Sequence, residues 1–106
     1  MYEVLLTDDA VSVEDLYTYI RLHDSHEKAE ELLTKLERSF QTLSQLPERG
    51  TYPKELLTLG IKNYRQIFYK PYRIIYSTTA KIVHIYLIAD GRQDMQTLLQ
   101  NRLLLV

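Results

Sequence analysis

Two Tyr-Arg pairs, Tyr64-Arg65 and Tyr72-Arg73, stand on either side of a Lys-Pro in the thirteen-residue run YRQIFYKPYRIIY. Arginine presents a rigid planar fork of donors that grips carboxylates and phosphates through paired hydrogen bonds. Tyrosine joins an apolar ring to a polar tip. Further along, His84 and Tyr86 add two groups able to carry protons. An acid–base site using Arg73, His84 and Tyr86 would have the arginine steady a phosphorane while the other two shuttle protons. The same residues admit three other readings. The tyrosines could fill a small core while the arginine stems cover its edge. The arginines could meet phosphates while tyrosines stack on bases. Or the pairs could form a protein-binding surface, where both residue types are enriched.

No other constellation competes. His23 and His26 lie three apart beside acidic residues, at a hinge where histidines are commonly solvated, and no metal site is expected there. Three glycines in the whole chain supply no phosphate-cradling loop, and no serine or aspartate stands in a nucleophile motif.

The elements that must position these residues follow from the chain as a whole. Its 106 residues suit one domain, taken as 1–106. At 45% hydrophobic and 25% charged it has globular composition. No cysteine is present, which fits a reducing compartment. The start, MYEVLLTDD, lacks the basic lead of a signal peptide, and no apolar run approaches the ~20 residues that span a bilayer. The expectation is a soluble cytoplasmic protein without cofactor. Its net charge of −1 hides polarity: residues 1–53 carry 11 acidic and 5 basic residues, and residues 54–106 carry 3 and 8. Such asymmetry suits either a charged partner surface or a solvated acidic face. A protein that grips many phosphates is usually net basic, and this one is not.

Tyr2–Thr7 reads as a short strand. Asp8 and Asp9 can cap the next helix, and Ser12 with Asp15 has capping-box spacing. Ala10, Val13, Leu16, Tyr17 and Ile20 then recur at helical spacing. Asp24 with Glu27 offers a second capping box, followed by a stripe of Ala29, Leu32, Leu33, Leu36, Phe40, Leu43 and Leu46. Pro47 and Gly50 stop that helix. Thr51–Asn63 reads as a loop with a turn at Lys54–Thr58. Strands follow at Tyr64–Tyr69, Tyr72–Thr78 and Lys81–Ala89, joined tightly at Lys70-Pro71 and Thr79-Ala80. After the Asp90-Gly91 turn, Asp94 caps a short helix carrying Met95, Leu98, Leu99 and Leu103.

The reading is therefore α+β: a small sheet of about four strands packed against an N-terminal helical hairpin, in the order β-α-α-β-β-β-α. The first strand has no hairpin route into the sheet, so it should enter by a crossover, parallel to a central neighbour. Val83, Ile85 and Leu87 should meet the helices, sending His84 and Tyr86 to an open face. Arg73 should point to that open face too, because an unpaired buried guanidinium is costly. Arg65 depends on register. A strict two-residue turn pairs Tyr69 with Tyr72 and sets Arg65 on the face opposite Arg73, whereas one bulged residue unites them.

Several stretches resemble the RelE/ParE superfamily of type II toxin-antitoxin toxins. They are the Pro47–Gly50 helix exit, Gly60-x-x-x-Tyr64-Arg65, Tyr72-Arg73-Ile74-Ile75-Tyr76, the IADGR turn ending at Arg92, a final Leu-Leu-x-x-Arg-Leu-Leu, and AVSVEDLYTYI in the first half. The resemblance covers almost the whole chain and implies this element order, a cytoplasmic toxin, and a cognate antitoxin laid across the helical hairpin and sheet. It implies one of two activities. RelE-like members are ribosome-dependent mRNA endonucleases, for which Arg73, Arg92, His84 and Tyr86 would be the catalytic candidates. ParE-like members, the plasmid-stabilisation branch, inhibit DNA gyrase without nuclease chemistry. The last helix, MQTLLQNRLLL, lacks the Tyr or His common in the nucleases, so the ParE-like reading is the one expected. Its target-binding candidates are Arg65, Arg73, Arg92 and Arg102. A degenerate, non-toxic relative is the third possibility. Charge reversal at Arg73 is expected to abolish toxicity and leave the fold intact.

Overall fold

The computed structural model describes residues 1–7, 21–22, 25–69, 72–90 and 94–99. Its elements are β1 (Glu3–Leu6), α1 (His26–Gln45), α2 (Lys54–Leu57), β2 (Arg65–Tyr69), β3 (Tyr72–Thr79), β4 (Ile82–Asp90) and α3 (Met95–Leu99). The first helix of the expected hairpin, Ala10–Ile20, lies outside the described residues, although Arg21 and Leu22 are helical.

The strands form one sheet in the order β1-β4-β3-β2. β1 runs parallel to β4, pairing Val4 with Val83 and Leu6 with Ile85, so the crossover delivers it to a central neighbour as expected. β2, β3 and β4 form an antiparallel meander.

α1 begins at Ser25, whose side chain accepts a hydrogen bond from the Lys28 N–H at 3.0 Å. The cap is therefore one residue beyond the expected Asp24. Helical spacing then buries Ala29, Leu32, Leu36 and Leu43, and the three leucines pack with Ile67, Ile74, Tyr76, Val83, Ile85 and Ile88 of the sheet. Leu46, expected at the end of this stripe, instead caps the helix and is exposed.

The opposite face is partly covered. Within the loop expected over Thr51–Asn63, the turn expected at Lys54–Thr58 is α2, a single helical turn that ends in a Schellman-type cap. Ile61 N–H reaches Leu56 C=O at 2.9 Å, Gly60 N–H reaches Leu57 C=O at 2.9 Å, and Gly60 takes φ +74°. That cap turns Ile61 back beside Leu56. Together with Tyr64, Ile75, Leu87, Ala89, Met95 and Leu99 they make a second apolar cluster.

Leu87 is in that cluster because β4 carries a bulge. Ile75 pairs with Leu87 and Tyr76 with Ile85, leaving Tyr86 as the extra residue. Side chains alternate strictly along a regular strand, so one inserted residue moves everything beyond it to the other face. Val83 and Ile85 meet α1 as expected. Leu87 does not, and Ile88 takes its place.

Candidate functional site

The β2–β3 hairpin settles the register. Tyr69 pairs with Tyr72, Phe68 with Arg73 and Arg65 with Tyr76, with no bulge between β2 and β3. The two arginines therefore lie on opposite faces.

Arg73 is on the face away from α1, but it is not exposed there: only 7% of it meets solvent. Its Nη1 donates to Glu55 Oε2 at 2.8 Å and its Nη2 to Glu55 Oε1 at 2.9 Å, a two-pronged pair. Its Nε donates to Gln66 Oε1 at 2.9 Å, and Nη2 reaches the same oxygen. The exposed ring of Phe68 stands 5.9 Å from the guanidinium carbon. The donors of Arg73 hold the carboxyl of Glu55 below its ordinary range, against the opposing effect of burial. The expectation that burial would drive Arg73 outward assumed no partner. α2 supplies one.

Arg65 turns to the loop after α1. Its Nη1 donates to Gly50 C=O at 2.8 Å and to Glu48 C=O at 3.4 Å. Its Nη2 donates to the Tyr52 hydroxyl at 3.2 Å, and the guanidinium lies 4.6 Å from the centre of the Tyr52 ring. Tyr76, wholly buried, works on the same loop. Its hydroxyl accepts from Gly50 N–H at 3.0 Å and donates to Pro47 C=O at 2.8 Å. Burial raises the pKa of that phenol, keeping it a donor. Gly50 has no room for a side chain, since a Cβ there would stand 2.5 Å from the Tyr76 oxygen and 2.6 Å from Gln66 C=O.

His84 and Tyr86 are half-buried neighbours, with ring centres 6.2 Å apart, and Tyr86 meets Tyr64 edge-on at 5.4 Å. Burial, and secondarily the neighbouring Tyr86, raise the pKa of the Tyr64 phenol. These residues do not join Arg73. Arg73 pairs with Ala89 across the β3–β4 ladder, whereas His84 pairs with Ser77. Four residues of strand separate the two positions, roughly 13 Å at ~3.3 Å per residue. The acid–base trio considered from sequence is thus not assembled. Arg92, Arg102 and His23 lie outside the described residues. His26 is exposed and faces Glu30 at 3.6 Å.

Glu55 and Gln66 were missed by the sequence reading. Gln66 had a signal: under the strict turn it falls on the same face as Arg73, one diagonal step away. Glu55 had none, because its role depends on α2 folding over the sheet.

Beyond the start of β2, a cleft of about 570 Å³ opens between the Lys62–Arg65 segment and the end of β3. Tyr64, Tyr86, Arg65, Glu48 and Thr78 are among the residues that line it. Among the described residues no group of side chains is arranged to hold a metal, and no helix is long and apolar enough to cross a membrane.

Sheet order, helix placement and hairpin register define an α+β protein of RelE/ParE-like topology. The chain belongs to the ParE toxin family of type II toxin-antitoxin systems (parDE), whose family model matches residues 4–95. Among solved structures it is similar to a chain of the chromosomal ParDE TA system from P. aeruginosa. That likeness has 18% sequence identity and a TM-score of 0.68, covering 85% of this chain and 96% of the other. No curated protein matches. The protein is thus the toxin component of a type II toxin-antitoxin system.

Proposed function

We propose that this toxin acts by poisoning DNA gyrase through protein contacts, and that a cognate antitoxin encoded beside it neutralises it. The observation that carries the choice of target is the state of Arg73. A ribosome-dependent nuclease needs an arginine free to meet the developing charge on phosphate. Here all three nitrogens of that side chain are committed to Glu55 and Gln66. Membership of the ParE family supports the same branch.

In this reading Arg65 and Arg73 act by holding loops in place, and the target is met through the basic second half, with Arg92 and Arg102 as contacts. Exposed Phe68, roofing Arg73, belongs to that surface. An antitoxin with an acidic amphipathic segment complements the same half.

Supercoiling of relaxed plasmid by gyrase and ATP, with and without the purified chain, tests the proposal. Inhibition with linear cleaved DNA is the expected result. Full supercoiling in the presence of a folded, antitoxin-binding sample would overturn it and direct attention to mRNA cleavage on the ribosome.

A further inference from the structure

The end of β3 outruns its partner. β2 begins at Arg65, opposite Tyr76, while β3 continues through Ser77, Thr78 and Thr79. Which main-chain groups this leaves open follows from Gln66. Its N–H donates to Thr51 C=O at 2.7 Å and its C=O accepts from Thr51 N–H at 3.0 Å, so both point away from β3. Main-chain groups alternate in direction along a strand. Arg65, Ile67 and Tyr69 therefore face β3, opposite Tyr76, Ile74 and Tyr72. By the same alternation, the N–H and C=O of Thr78 point where β2 would have continued. Among the described residues nothing pairs with them from that side.

The cleft adjoins this gap, since Ser77, Thr78 and Thr79 line it together with Lys62–Arg65. Its volume falls within the ~300–1,000 Å³ of small-ligand sites, and Thr78 at the unpaired strand edge is part of its lining. Its lining is rich in donors: Lys62, the Asn63 amide, the Tyr64 phenol and the Thr78 and Thr79 hydroxyls, with Glu48 as its carboxylate. Lys62 is exposed and makes no ion pair among the described residues.

We infer that this cleft docks an extended, carboxylate-bearing polypeptide segment of a partner protein, added as a short strand on the free edge of β3 at Thr78. Strand addition takes its affinity from main-chain hydrogen bonds and its specificity from the side chains around the edge. Thr78 supplies one donor and one acceptor. Lys62 selects for acid, and the rings of Tyr64 and Tyr86 wall the groove. An isolated anion would use the lysine and hydroxyls but leave the strand edge empty.

The test is amide-resolved NMR of the full, isotopically labelled chain. The probes are a blocked hexapeptide of alternating threonine and glutamate, its lysine counterpart, and inorganic triphosphate. The acidic peptide is expected to shift the amides of Lys62–Arg65 and Ser77–Thr79 and to slow exchange of the Thr78 N–H. Lys62→Glu should weaken it roughly fivefold, the reach of one exposed charge pair, and favour the lysine peptide instead. Thr78→Pro should abolish binding of either peptide. The N–H it removes points away from β4, so the β3–β4 ladder keeps its bonds, and Lys62→Glu still decides the matter if the proline variant misfolds. The inference fails if the acidic peptide shifts none of these amides, if both peptides bind the native chain equally, or if triphosphate alone reproduces the shifts.

Discussion

Arg65 and Tyr76 are partners across the β2–β3 ladder, and both side chains hold one loop. Arg65 donates to the carbonyls of Glu48 and Gly50, while Tyr76 accepts from Gly50 N–H and donates to Pro47 C=O. The turn that leaves α1 is thus fixed to the sheet by a charged group at its rim and a phenol beneath it. The repeated Tyr-Arg pattern proves to be two separate anchors: Arg65 secures this turn, and Arg73 secures α2.

Removing the Tyr76 hydroxyl should expose the worth of the first anchor. Tyr76→Phe leaves a buried N–H and a C=O unpaired, and a loss of about 1–3 kcal/mol is expected. Gly50→Ala should cost a similar amount, since its Cβ would collide with Tyr76 and with the Gln66 backbone. Urea denaturation reads both; midpoints matching the native chain would show the turn to be held by something else.

The second anchor changes what a substitution at Arg73 means. Charge reversal there was expected to spare the fold, but Arg73→Glu would set a second carboxylate against Glu55 in a buried site. The expected outcome is an unfolded or strongly destabilised chain. Glu55→Ala strands a buried guanidinium and should cost about 3–5 kcal/mol. Replacing both, with Glu55→Leu and Arg73→Met, should recover most of that loss. Toxicity in the folded double variant would establish that Arg73 acts only by holding α2.

Acid should weaken the fold through Glu55. Its folded pKa lies below the ordinary 4.5, chiefly because Arg73 donates to it. As pH falls the unfolded chain takes up this proton first, so stability is fully present above the ordinary value and is lost as pH drops through the folded one. Asp94, lowered by its bonds from Thr97, has the same sign but is exposed. Tyr76 works in the opposite direction. Burial lifts it above 10.0, so its contribution is full below that pH and is lost as pH rises through the folded value. Unfolding free energy measured from neutral to acid pH should fall more steeply for the native chain than for Glu55→Gln. Parallel curves would remove Glu55 from the account.

The β3–β4 turn offers a gain in stability. Ala80 and Lys81 both take positive φ, 52° and 65°, as a two-residue hairpin turn requires. Side-chain sterics disfavour that region by roughly 1–2 kcal/mol per residue. Lys81→Gly should therefore raise stability by about 1 kcal/mol, read as a higher thermal midpoint. A lower midpoint would mean that the glycine's added freedom in the unfolded chain outweighs the relief.

The sequence pattern carried the fold well because its signals were local. Leucines at helical spacing marked α1, alternating β-branched and aromatic residues marked the meander, and Asp94 announced α3, where it accepts from Thr97 N–H at 3.2 Å. The missed features all depend on contacts between distant residues. The turn at Thr79-Ala80 sits one residue later, at Ala80-Lys81, because strand ends are set by pairing. The Tyr86 bulge inserts one residue into β4, and no composition rule marks it, yet it decides that Leu87 faces away from α1. The candidate site fared worse for the same reason. An arginine read as solvent-facing became a buried brace once a glutamate from a separate turn arrived to pair with it.

The parallel pairing of β1 with β4 has a temporal side. Residues 3–6 find their partners at residues 82–85. During synthesis β1 cannot take this partner until residues 82–85 have been made, because its neighbour is the last of the described strands along the chain. The crossover therefore acts as a check on synthesis: a nascent chain that stops short of β4 cannot close this sheet.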